Sequence, residues 1–172
     1  MNLKPLIKNG KYIQNSTLFL LWFWMLLLLL SPYLIPEGYT GDLSGSVGIY
    51  DNKETVENMN PVAKIAYYLG DVNCHQISNR SYSYHNNQMP FCARDLGIFI
   101  GLALGFTLAR GRKIRLTLPF ILLALLPIGL DGTIQLLTSY ESTNTKRILT
   151  GLIAGGVTGV ALKIITESLE RD

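Results

Sequence analysis

The two cysteines and two histidines of this 172-residue chain all fall between positions 74 and 92. Cys74 and His75 are adjacent, and Cys92 stands three residues before Asp95, a spacing that puts both side chains on one helical face. Two thiolates, an imidazole and a carboxylate lie within the ligand range of zinc. Cys74, His75, Cys92 and Asp95 therefore form a candidate tetrahedral metal set, with zinc as the implied cofactor. A Cys74–Cys92 disulfide competes with it, because an extracytoplasmic location permits oxidation. Separate thiols are the third reading. His85 follows a Ser-Tyr-Ser-Tyr run and reads as a solvated loop residue.

A second group lies further along. Asp131 and Gln135 are four residues apart within an apolar stretch and share a helical face. Counted from Leu116 at the inner edge, Asp131 is about 22 Å along a helix, within the outer third of a hydrocarbon core about 30 Å thick. Intramembrane acids face a bundle interior and a partner. Arg94 and Arg147 open apolar runs at the same level, so either can pair with Asp131. Alternatively, Arg94 snorkels to the interface. Asp131, Arg94, Arg147 and Gln135 are the candidate catalytic residues.

Long apolar runs must position these groups. Hydrophobic residues make up 48% of the chain and charged residues 16%, below the roughly 25% of soluble proteins. The sequence predicts an all-α membrane bundle in one domain, with spans at about 17–36, 91–109, 116–138 and 147–165. The first run follows Lys4, Lys8 and Lys11 as a signal peptide would, but no small-x-small cleavage site follows it, so it reads as an uncleaved helix. Residues 37–90 read as an extracytoplasmic loop. Within it, Val62, Ile65, Ala66 and Leu69 mark a short interfacial helix from Pro61, capped by Asn60 and ended by Gly70. Tyr67 and Tyr68 are expected at headgroup level.

Basic residues set the orientation. Lys4, Lys8, Lys11, Lys163, Arg171 and the dense Arg110-Gly111-Arg112-Lys113-Ile114-Arg115 linker fall on one side. The other side holds Lys53, Lys64, Arg80, Arg94, Lys146 and Arg147, together with most of the acids. The positive-inside rule then predicts both termini in the cytoplasm of a multi-pass cell-membrane protein. The basic residues are split between apolar runs rather than gathered on one face, which argues against nucleic acid as a partner.

Helix packing is also written in the chain. Gly97, Gly101 and Gly105 recur every four residues, as do Gly151, Gly155 and Gly159, and each set makes a smooth groove. The grooves either serve generic small-residue packing, meet each other, or form a homo-oligomer contact. Pro119 and Pro127 lie in the third span, and Pro127 predicts a kink or an unwound turn below Asp131. Irregular backbone at that depth implies an adjoining cavity.

These residues resemble a family of small archaeal and bacterial polytopic membrane proteins, a domain of unknown function with Cys-His-Gln and Cys-Ala-Arg-Asp/Cys motifs. The resemblance lies in Cys74-His75-Gln76, Arg80-Ser81, the run Gln88-Met89-Pro90-Phe91-Cys92-Ala93-Arg94-Asp95-Leu96-Gly97-Ile98, and Gly101. It continues through Asp131-Gly132, Gln135, Asn144, Arg147 and Thr150-Gly151. It implies the architecture and the place of the site rather than an activity. Members carry Cys-Ala-Arg-Cys where this chain has Cys92-Ala93-Arg94-Asp95. The aspartate keeps a ligand but makes the site less rich in thiolate.

No phosphate-binding glycine loop, His-Glu-x-x-His helix or Gly-x-Ser-x-Gly elbow is present. The leading expectation is a membrane-embedded enzyme whose outward-facing site depends on a metal or a cysteine and acts on a lipid or small membrane-resident molecule. The alternatives are an ion or solute transporter or channel subunit, and a structural accessory protein. The orientation has a direct test. A cysteine placed at Ser46 should react with an impermeant thiol reagent in intact cells above the level of the parent chain. Labelling at Gly111→Cys instead would reverse the topology.

Overall fold

A computed structural model describes residues 11–170 and is mostly helical. Lys4, Lys8 and Arg171, part of the charge pattern above, lie outside the described residues. Helix α1 spans Tyr12–Leu30 and passes into a short 3-10 turn at Ser31–Tyr33. Helices α2 (Lys53–Glu57) and α3 (Pro61–Asn73) and a hairpin, β1 (Ser83–Tyr84) with β2 (Asn87–Gln88), follow. Then come α4 (Ala93–Ala109), α5 (Leu118–Leu137) and α6 (Asn144–Leu169). Among the described residues three helices, Tyr12–Tyr33, Leu118–Leu137 and Asn144–Leu169, are long and apolar enough to cross a membrane. The second expected span, α4, is shorter at 17 residues and carries Asp95 in its first turn.

The α4–α6 pair is the centre of the bundle, and the two glycine stripes meet there. A Cβ on Gly97, Gly101 or Gly105 would collide with the backbone of Ile148, Leu152 or Gly156 respectively. One on Gly151, Gly155 or Gly159 would strike Arg94, Ile98 or Leu102. The two backbones thus lie in direct contact along three successive turns, which only hydrogen side chains allow. Helix α1 joins through edge-on aromatic contacts: Trp24 lies 6.0 Å from Phe91 and 5.9 Å from Phe99, measured between ring centres.

Helix α5 is attached differently. Asp131 is its only buried residue, and Ile121, Ala124 and Ile128 on the same face are half-buried. Asp131 forms an ion pair with Arg94 of α4 and accepts a hydrogen bond from the Tyr140 hydroxyl at 3.4 Å. Pro127 leaves the helix unbroken from Leu118 to Leu137, so the expected unwound turn is absent.

Residues 31–92 are not a plain polar loop. They fold into a cap over one end of the bundle, with a core of Ile35, Leu43, Val56, Met59, Ala63 and Tyr67. Buried amides replace regular backbone pairing there. Asn87 donates to the carbonyls of Pro32 and Pro36, both at 2.9 Å, and accepts from the Thr40 amide at 2.9 Å. Gln88 accepts from the Leu43 amide at 3.2 Å, and Gln76 donates to the Pro90 carbonyl at 2.7 Å. Asn60 caps α3 as expected, accepting from the amides of Val62 and Ala63 at 3.0 Å. Two expectations fail here. Gly70 does not end α3, which runs on to Asn73; the glycine is needed because a Cβ would overlap the Pro90 carbonyl. Tyr67 is fully buried rather than at a headgroup surface, and its hydroxyl donates to the Gln88 carbonyl at 2.8 Å.

The opposite end gathers the start of α1, the 110–117 linker and the end of α6. Gln14 donates through its backbone and side chain to the Glu170 carboxylate at 3.0 and 2.6 Å. Buried Lys163 donates to the Arg112 carbonyl at 2.8 Å and pairs with Glu167 at 2.7 Å.

Two substitutions test this account by thermal unfolding in detergent. Gly155→Ala should destabilise the protein by about 1–3 kcal/mol, as overpacking does, whereas Gly156→Ala should be tolerated, because its Cβ would meet only the Gly101 carbonyl oxygen at 4.0 Å. Equal tolerance would contradict the backbone contact. Asp131→Ala should cost about 3 kcal/mol by leaving Arg94 uncompensated, and adding Arg94→Gln should restore part of the loss. An additive double variant would show that the pair does not hold α5.

Candidate functional site

The cap and the upper ends of α4, α5 and α6 enclose a cavity of about 220 Å³. Cys74, His75, Cys92, Arg94, Asp95, Gln135 and Arg147 line it, with Asn73, Gln76, Ile77 and Arg80 completing the wall. Seven candidate residues therefore reach one cavity, and Asp131 stands behind it as the partner of Arg94.

Cys74 closes α3: it is the residue after the last helical turn, and its amide donates to the Gly70 carbonyl at 2.8 Å. Cys92 occupies the N-cap position of α4, with Asp95 in the first turn, where the helix dipole favours negative charge. The Cys92 thiol donates to Asp95 Oδ2 at 3.2 Å. One ligand atom from each of Cys74, Cys92 and Asp95 lies within 4.8 Å of the other two. The hydrogen bond that Cys74 makes to Cys92 pushes its thiol well above the usual range, and burial and the nearby Cys92 and Asp95 push it further. Both cysteines are free thiols in the structure.

His75 stands apart from this group. It is exposed and lines the cavity, but it does not converge with Cys74, Cys92 and Asp95. The reason is local. Cys74 has extended backbone, with φ −136° and ψ 143°, and successive side chains on extended backbone point to opposite sides. Of the four expected ligands the structure brings Cys74, Cys92 and Asp95 together and leaves His75 out. His85 sits in the hairpin turn with φ 54° and stacks on Tyr33 at 5.6 Å.

The other wall is cationic. Arg147 is almost wholly buried, 3% exposed. It donates to Asn144 Oδ1 at 3.0 Å, and Glu141 lies 3.7 Å from its Nη2. Arg80 approaches Glu141 at 3.3 Å. Gln135 lies between the two arginines: with its amide oxygen towards Arg80 it accepts from both terminal nitrogens at 2.8 and 2.9 Å, and turned the other way it accepts from Arg147 at 3.4 Å. Arg80, Arg94 and Arg147 line the cavity, while their counter-ions Asp131 and Glu141 do not. The guanidinium groups are thus presented inwards, with the carboxylates behind them.

Reading the sequence for chemistry missed Arg80, Glu141 and the structural amides Gln76 and Gln88. Gln76 and Gln88 were visible only within the resembling motifs, and Arg80 there and in the charge pattern. Glu141 gave no signal, since an acid in a short polar loop looks the same whether it is solvated or shared by two arginines.

Comparison with known proteins agrees with this architecture. Residues 74–161, half of the chain, match the family described as "Predicted membrane protein (DUF2085)". An uncharacterised protein of Methanocaldococcus jannaschii, MJ1492, is 35% identical over 94 residues, 52% of this chain and 60% of the relative. The chain therefore spans less than two thirds of that relative's length. An uncharacterised protein of Methanothermobacter thermautotrophicus is 35% identical over 101 residues, 57% of this chain and 87% of the relative. No solved structure matches. The matched region runs from the first cysteine of the cavity through most of α6, and on that ground the chain belongs to the DUF2085 family of predicted membrane proteins.

Proposed function

We propose that this protein is a multi-pass cell-membrane enzyme that holds the anionic head of a lipid or other membrane-resident molecule in the cap cavity. The thiol–carboxylate group is its reactive centre. The observation that carries this reading is the convergence of Arg80, Arg94 and Arg147 with Cys74, Cys92 and Asp95 on one cavity. Guanidinium groups bind phosphate and carboxylate oxygens with paired donors. Nucleophilic, acid–base and metal chemistry all draw on the residue types facing them.

The residues divide by task. Arg80 and Arg147 hold the anion, and Gln135 aligns them. Arg94, fixed by Asp131, closes the side towards α5. Cys92 and Asp95 act at the bound molecule as nucleophile, base or metal ligands. With the basic 110–117 linker in the cytoplasm, the cavity faces the outer leaflet.

The arrangement favours this reading over a transporter. Between α4, α5 and α6, a groove towards the linker end is lined by Leu104, Leu108, Phe120, Leu152, Ile153 and other apolar or glycine residues, with Arg112 as its single polar lining residue. A conducting path would need polar groups along its length.

The test is binding of anionic against zwitterionic phospholipid to the purified protein, followed by native mass spectrometry. The parent chain should retain the anionic lipid, and Arg80→Gln should weaken retention about tenfold, or about 1.4 kcal/mol. Cys92→Ser should remove turnover of the bound molecule. Equal retention of both lipid classes, or no effect of Arg80→Gln, would overturn the proposal.

A further inference from the structure

We propose that Cys74, Cys92 and Asp95 bind one divalent metal ion of the zinc class, with a fourth coordination position open to the arginine-lined cavity. The claim deepens the function proposed above, on which its choice of fourth ligand rests.

The geometry fits a tetrahedral ion. Metal–sulfur bonds of about 2.3 Å and metal–oxygen bonds of about 2.0–2.2 Å place neighbouring ligand atoms roughly 3.3–3.8 Å apart. The three ligand atoms here lie within 4.8 Å of one another, and Cys92 Sγ and Asp95 Oδ2 are 3.2 Å apart. A cation would need only small side-chain adjustments to draw them in. Rigid backbone supplies all three: Cys74 is fixed at the end of α3, and Cys92 and Asp95 by the first turn of α4. Only two segments must therefore stay in register.

Charge supports the same conclusion. Two sulfurs and a carboxylate are gathered within 4.8 Å of one another, and a divalent ion between them offsets the mutual repulsion of their charged forms. A disulfide would use the two sulfurs and leave Asp95 out of the group. Thiolate ligands select zinc or a similarly soft ion over magnesium or calcium.

Three protein ligands leave one position free, the pattern of a catalytic rather than a structural zinc site. All three ligands line the same cavity as Arg80, Arg94 and Arg147. An anionic oxygen, from phosphate or carboxylate, fits the fourth position with the guanidinium groups around it. His75 is exposed and is not required.

Elemental analysis, intact-mass measurement and cobalt substitution of the full chain, purified anaerobically in detergent without reductant, test the site. One zinc per chain is expected, and Co(II) should give the thiolate charge-transfer absorption of a tetrahedral site. Cys74→Ser and Cys92→Ser should each abolish that absorption. Asp95→Asn should weaken binding by more than tenfold, Asp95→Cys should retain the metal with stronger charge-transfer bands, and His75→Ala should leave the stoichiometry unchanged. A protein without metal whose mass is lower by two hydrogens carries the disulfide, and the proposal fails. Metal retained in both serine variants, or lost in His75→Ala, also overturns the assignment. Anionic-lipid retention is read separately through Arg80→Gln, so loss of the metal site with retention intact refutes this inference alone.

Discussion

Backbone contact between α4 and α6 governs the rest of the structure. Glycines on each helix meet carbonyls of the other over three turns, so the two axes approach as closely as helices can. Such a contact has little freedom to slide, because a shift by one residue would push a side chain into the opposing backbone. Its outermost rungs are Gly97 against Ile148 and Gly151 against Arg94. The same register that seats the glycines therefore sets Arg94 of α4 close to the first turns of α6, where Arg147 stands.

The site is built outwards from that pair. Once α4 is fixed, its N-terminus presents Cys92 and Asp95, and the cap must bring Cys74 to them. The buried amides of Asn87, Gln88 and Gln76 do this by tying the segment to Pro32, Leu43 and Pro90 without long strands, and the Tyr67 hydroxyl of α3 donates to the Gln88 carbonyl. Gly70 matters for the same reason: α3 passes the Pro90 carbonyl too closely for any side chain. Several of the residues that looked most chemical in the motifs are thus supports, and Gln76 and Gln88 are the clearest cases.

Helix α5 follows a different principle. Most of its apolar side chains are exposed in the isolated chain, and Asp131 is its one buried residue. In a bilayer those side chains meet lipid at no cost, since hydrocarbon is as apolar as leucine. A single charge pair can then decide which way the helix faces. Asp131 also orients Arg94 towards the cavity, so the group that anchors α5 sets one wall of the site.

Apolar run length and glycine spacing were legible in the sequence, because each depends on local periodicity. The four-residue glycine repeats, the Asn60 cap and the shared face of Cys92 and Asp95 follow from helical geometry alone. The fold of residues 31–92 did not, because its stability comes from side-chain amides bonding to backbone far along the chain, which leaves no period to read. The separation of His75 from Cys74 was likewise decided by tertiary structure: the backbone at Cys74 is extended where α3 stops, and no local period in the sequence marks that point. Pairing of Arg94 rather than Arg147 with Asp131 was also beyond the sequence. Both arginines stand at the right level, and only the glycine contact between α4 and α6 selects the one that faces α5.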